Sequence, residues 1–211
     1  MERNIHLVRY EGTFAYIKPW TAVRDGLTYS QQFLTPSMIA GIERKIFPEL
    51  LSKEWGIYKI CGHRLNYQAI TKQQEVVQTR GVDFKAIKKE FPDPKKPEKV
   101  KTKTFQIPLR KRSILQRGCL LYPSLWLAFK EKEDAQRAFQ EHICLARNED
   151  MLFPVELLTN ISWEDFLQDN RFSGFELVFE HNNEAFPVGY NRFNHKEMMY
   201  GCLRVVGEPV K

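Results

Sequence analysis

A chain of 211 residues has room for one large domain, or one domain with a small appendage. Its 43 % hydrophobic and 27 % charged residues are an ordinary globular balance, and no apolar run approaches the roughly 18 residues of a membrane span. The formal charge of +6 is segregated: Lys85 to Arg112 holds eleven Lys/Arg and three Asp/Glu, a net of +8, leaving −2 for the rest, which points to a local anionic partner.

The termini and cysteines narrow the setting. Met1-Glu2-Arg3-Asn4 lacks the basic-then-apolar layout of a signal peptide. Cys61, Cys119, Cys144 and Cys202 show neither pairing nor metal spacing, so reduced thiols in a cytoplasmic protein with no membrane partner are expected.

In chain order, Ile5 to Tyr10 reads as an imperfect strand, broken by Gly12 and resumed over Phe14-Ala15-Tyr16-Ile17. Lys18, Trp20 and Arg24 follow in a loop that closes at Asp25-Gly26. An aromatic between two cations can stack a base and hold a phosphate, or Trp20 can simply pack on the core rim. Thr35 and Pro36 start a helix: the hydroxyl can accept a first-turn N–H, and proline needs no donor there. Ile39, Ile42 and Ile46 give that helix one apolar face, and Pro48 ends it. Gly41 inside it costs about 1 kcal/mol relative to Ala, which implies a reason such as close approach of another backbone.

A strand is expected over Ile57 to Cys61, bent at Gly62 and continued from His63 to Ile70. Gln73, Gln74 and Gln78 mark a polar stretch without clear period. In the basic segment, Pro92, Pro94 and Pro97 argue against helix, and Lys99 to Phe105 alternates like a strand with one basic face. An exposed arm or long hairpin is the expectation, with a disordered loop as the competing reading. The apolar run from Ile114 to Phe129 reads as strands bent at Pro123, and Lys132 to Leu145 as a helix with Ala135, Ala138, Phe139, His142 and Ile143 on one face. Phe153 to Leu157 looks like a short edge strand, the usual place for a strand proline. Ser162 can cap a short helix from Trp163, and Gly174 to Glu180 and Met198 to Val206 alternate as strands.

The order strand, helix, strand, basic insertion, strand, helix, strand is ferredoxin-like. The expected fold is therefore α+β: a ferredoxin-like, RRM-like domain over residues 1–160, a basic thumb hairpin inserted at about 85–112, and a small strand-rich extension over 161–211. Such a sheet is a common RNA-binding platform, although fold alone does not give function.

Particular residues carry a family likeness. Gly12-Thr13-Phe14-Ala15, then Thr28-Tyr29, then Thr35 to Ile42 (Thr-Pro-Ser-Met-Ile-Ala-Gly-Ile) resemble CRISPR-associated protein 5. Arg112 to Arg117 leading into an apolar strand, and Cys144 to Asn148 followed by Phe153-Pro154, are similar to later elements of that family. The match is best over about 12–60 and weaker over 110–157. There are departures: the gap from Tyr29 to Thr35 is long, Ala40 replaces an arginine, and Ala146 stands where a glycine is expected. The resemblance implies a subunit of a Cascade-like surveillance complex that caps the 5′ handle of the guide RNA. Its implied partners are that RNA, the backbone and large subunits, and target DNA reached through the assembled complex. A thumb hairpin would lie where the basic segment is inserted.

One branch of that family cuts precursor guide RNA. Metal-free cleavage needs a base, an acid and a cation at one phosphate. Tyr29 matches the tyrosine of that arrangement, and His63 could join it only by an accident of folding. Arg112 and Arg117 stand where a Lys-His pair would be sought, and neither gives up a proton at neutral pH. No metal or cofactor motif is present in the spacing of His63, His142, His181 and His195. The expectation is a non-catalytic clamp. Trp20, Tyr29 and Phe105 would stack or wedge bases, while Arg24, Lys99, Lys101, Lys103, Arg110, Lys111, Arg112, Arg117 and Arg147 would contact phosphate. A metal-independent endoribonuclease is the alternative, and a protein-interaction module with a basic arm is a third reading.

Overall fold

The computed structural model describes residues 4–18, 26–78, 112–145, 147–180, 182–190 and 197–210. The first half contains β1 (Asn4–Glu11), β2 (Phe14–Ala15), β3 (Leu27–Tyr29), α1 (Pro36–Ile46), β4 (Ile60–Asn66) and β5 (Ala69–Gln78). After the basic segment come β6 (Arg112–Leu121), β7 (Ser124–Phe129), α2 (Lys132–Ala138), β8 (Ile143–Cys144) and β9 (Met151–Ser162). The chain finishes with α3 (Trp163–Gln168), β10 (Gly174–Val178), β11 (Phe186–Tyr190) and β12 (Met198–Val206). The fold is mixed α+β.

These strands form two sheets. The larger runs β11-β12-β10-β4-β7-β1-β9-β8. In its middle, β4, β7, β1 and β9 are antiparallel neighbours, and with α1 and α2 they follow the strand-helix-strand-strand-helix-strand order read from the sequence. Side chains alternate across the strands, so each face has its own core. Val8, Tyr10, Leu127 and Phe129 pack with Ile39, Ile42 and Ile46 of α1 and Ala135 and Ala138 of α2. Ile5, Leu7, Trp126 and Ala128 meet Phe166 of α3 and Phe172 on the other face. Each such large side chain contributes about 1.5–3 kcal/mol by leaving water.

The smaller sheet is centred on β6. It pairs with β5 along its whole length, antiparallel, from Ala69 opposite Leu121 to Gln78 opposite Arg112. On its other side it takes β2 antiparallel and β3 parallel. The polar stretch around Gln73 and Gln74 is thus a strand. Its alternation shows only in exposure, Lys72, Gln74 and Val76 being open and Thr71, Gln73 and Glu75 half-buried.

Several local expectations need correcting. Residues 57–59 are not in a strand, because the fully buried carboxylate of Glu43 accepts the N–H groups of Tyr58, Lys59 and Ile60 and replaces a strand partner. Thr35 occupies the cap of α1, but its carbonyl oxygen accepts from Met38 and Ile39 while its hydroxyl pairs with that of Ser37 at 2.9 Å. Among the described residues Gly41 approaches no other backbone: a Cβ there would meet none of them within 4 Å.

The second helix is shorter than its pattern. It stops at Ala138, whose carbonyl accepts the Tyr10 hydroxyl at 2.5 Å, and Ile143 is drawn into a strand beside Leu152. His142 is therefore exposed beside the Phe153 ring rather than buried on a helix face. Conversely, β9 is longer than expected. Its far edge is paired by β8 only at Met151 and Leu152, so Pro154 does sit on an open edge. Ser162 caps α3 as expected, accepting from Glu164 N at 3.2 Å. The strands after Ile161 join the same large sheet, through Phe175 opposite Leu65.

Candidate nucleic-acid interface

The smaller sheet presents two different faces, because successive residues of β6 point to opposite sides. Thr28, Glu75 and Arg117 share the inner face. Arg117 Nε donates to Glu75 at 3.0 Å, and its Nη1 donates to the Thr28 hydroxyl, so one guanidinium ties β5, β6 and β3 together. The same group lies 5.4 Å from the centre of the buried Tyr16 ring.

A second guanidinium shares that ring. Arg147 lies 5.3 Å from the Tyr16 centroid. Its Nε and Nη2 donate to the two oxygens of Asp150 at 2.8 and 2.7 Å, a bidentate pair. Asp150 is almost fully buried and also accepts the backbone N–H groups of Tyr16 and Arg147. The hydrogen bond to Asp150 raises the Arg147 pKa against the opposing effect of burial, with further help from the charges of Asp150 and Glu149. Nearby, burial pushes the Cys119 thiol up, and the cations Arg147 and Arg117 only partly offset it.

The balance decides what these arginines can do. Asp150 is committed to the turn it organises. Glu75 and Glu149 are more open, with side chains 39 % and 66 % exposed. Their arginine partners are less so, with side chains 16 % exposed at Arg117 and 28 % at Arg147. Both guanidiniums are oriented before any ligand arrives.

The outer face is open. Leu27 and Tyr29 on β3, Gln116 and Ile114 on β6, and Lys72, Gln74 and Val76 on β5 are all exposed. Tyr29 is 48 % exposed and lies against Gly118, its partner in the parallel pairing. A Cβ on Gly118 would come within 3.0 Å of three carbons of the Tyr29 ring.

Of the residues singled out from the sequence, Tyr29 and Arg117 fall on opposite faces of this sheet, and Arg147 joins Arg117 at Tyr16. Arg112 is the first residue of β6, opposite Gln78. Trp20, Arg24, Lys99, Lys101, Lys103, Phe105, Arg110 and Lys111 lie outside the described residues. His63 belongs to the larger sheet, is 7 % exposed, and has an Nε2 with no hydrogen-bond partner among the described residues. Desolvation lowers its pKa to about 4, against a raising effect of Glu176 and with a further lowering by Arg64. Sequence reasoning passed over Tyr16, Glu75, Asp150 and Gly118. A glycine within an apolar strand is itself a signal of close approach, and Gly118 carried it.

Among the described residues no three His, Cys, Asp or Glu side chains are grouped to hold a metal ion, and no helix is long and apolar enough to cross a membrane. No family model matches the sequence, and no curated protein matches it. Solved structures are similar to it, among them these two. One is a chain of a type III-B Cmr-beta complex bound to cognate target RNA and AMPPnP, with a TM-score of 0.45 and 10 % identity over 93 % of this chain and 83 % of that one. The other is a CRISPR protein from Archaeoglobus fulgidus, with a TM-score of 0.36 and 13 % identity over 99 % and 86 % of the two chains.

Proposed function

We propose that this protein is a non-catalytic RNA-binding subunit of a CRISPR surveillance complex of the Cascade-like kind, capping the 5′ handle of the guide RNA. One observation carries the reading. The pairing of β5 with β6 sets Gln78 opposite Arg112 in the sheet that carries Tyr29, and the sequence from Lys85 to Arg112 has a net charge of +8. A sequence with such concentrated positive charge, in a chain that also presents an exposed aromatic on its smaller sheet, suits a single-stranded, anionic polymer better than a compact ligand. The sequence resemblance supplies the handle, the neighbouring backbone and large subunits, and target DNA met through the assembly.

The ribonuclease reading needs Tyr29 and His63 at one phosphate. They lie in different sheets, Tyr29 exposed and His63 buried. End-labelled repeat RNA, incubated with the protein in EDTA and run on native and denaturing gels, separates the readings. The expected result is a shifted band with intact RNA; a discrete shorter product overturns the clamp. Replacing Lys99, Lys101 and Lys103 together by Ala should flatten the slope of log K against log salt by about 2, at roughly 0.7 per phosphate contact on single strands. An unchanged slope removes the basic segment from the binding surface.

A further inference from the structure

We infer that the outer face of the smaller sheet is a base-stacking site, with Tyr29 as the platform, Gly118 as the residue that positions it, and Lys72 as the phosphate contact. The inference deepens the RNA reading and rests on it. The register defines the site. Lys72, Gly118 and Tyr29 stand in one row across β5, β6 and β3. Gln74, Gln116 and Leu27 make the next row, and Val76 and Ile114 a third. Directly opposed side chains in such rows sit about 5 Å apart, within reach of one nucleotide.

Each row has a distinct chemistry. In the first, the absence of a side chain at Gly118 lets the Tyr29 ring lie across the strand instead of standing off it. The residue as a whole is 48 % exposed. Lys72 is the single charged residue in the three rows, and it is a cation. In the second, two exposed amides offer donors and acceptors to the edge of a base. The occupant that fits an aromatic face, amides and one cation in sequence is an unpaired nucleotide of a single strand. On the inner face, Arg117 fixes β3 through Thr28, so the platform cannot move away from Gly118 independently.

The test uses a short single-stranded repeat RNA containing 2-aminopurine, titrated into the full-length protein, with affinity read by anisotropy and stacking by fluorescence quenching. Tyr29→Ala and Gly118→Ala should each weaken binding about tenfold and abolish the quench, as expected for the loss of one base stack. The double variant should be no weaker than either. Tyr29→Phe should keep both affinity and quench, because stacking needs the ring and not the hydroxyl. Lys72→Ala, an exposed change that leaves the fold alone, should lower the salt slope by about 0.7. If Tyr29→Ala weakens binding but Gly118→Ala does not, or if their effects add, Gly118 is not a positioning residue and the inference falls while RNA binding stands. If the unmodified protein binds no RNA, the face serves a different macromolecule and both readings fall.

Discussion

Buried charge is where single residues matter most in this protein. Glu43 places a carboxylate at 0 % exposure and satisfies it with three consecutive backbone N–H groups. Glu43→Ala would leave those donors in an apolar core, at about 1–3 kcal/mol for each that water cannot reach. A clear fall in the urea midpoint, with slowest recovery of protection at Tyr58 to Ile60, is the expected result. His63 contributes a pH dependence. Its pKa is depressed to about 4 in the fold, against 6.5 in the free side chain. Between those values the unfolded chain takes up a proton that the folded chain refuses, so stability is full above pH 6.5 and falls as pH drops toward 4. At 1.36 kcal/mol per pKa unit the loss is about 3 kcal/mol. Urea midpoints of the unmodified protein and His63→Gln, compared at pH 7 and pH 4.5, should diverge by that contribution.

Among the elements, α1 shows how much a local pattern decides. Its start at Pro36, its apolar face and its end near Pro48 follow from residue type alone. The reason for Gly41 does not, since a Cβ there would meet none of the described residues within 4 Å. Gly41→Ala should therefore raise stability by up to about 1 kcal/mol, the helix-propensity difference, and a thermal melt reads it directly. A lower melting temperature would mean that a contact uses that space. The second helix shows the opposite limit. Phe139, His142 and Ile143 continue its periodicity, yet the Tyr10 hydroxyl and the β9 edge end it at Ala138. Periodicity describes what a segment can bury, and a long-range partner settles whether it does.

Across the whole molecule, the junction between β4 and β10 joins the last three strands to the rest. Phe175 pairs with Leu65 there, and Asn66 donates to the Ser173 carbonyl beside it. Glu176 reinforces the joint by accepting from His63 N, from Arg64 and from Arg204. Arg64 is wholly buried, so Glu176→Ala would strand a cation in the core. Breaking such a pair costs about 3–5 kcal/mol, and hydrogen exchange should rise first in β10 to β12. Uniform acceleration through β1 and β7 would show instead that the two parts open as one.

What the sequence determined by itself was the α+β class, most strand and helix positions, the cap at Ser162 and the concentration of positive charge between Lys85 and Arg112. These depend on residue type, local period and charge, all of which act over a few neighbours. It also singled out Tyr29, Arg117 and Arg147 without showing how they are held. That depended on tertiary structure: Glu75 reaches Arg117 from another strand, Asp150 ties its neighbour Arg147 to the distant Tyr16, β3 lies parallel to a strand about ninety residues away, and Gly118 meets Tyr29 only because of that pairing. Strand register and the pairing of distant charges are set by which surfaces exclude water together, and no local pattern encodes that choice.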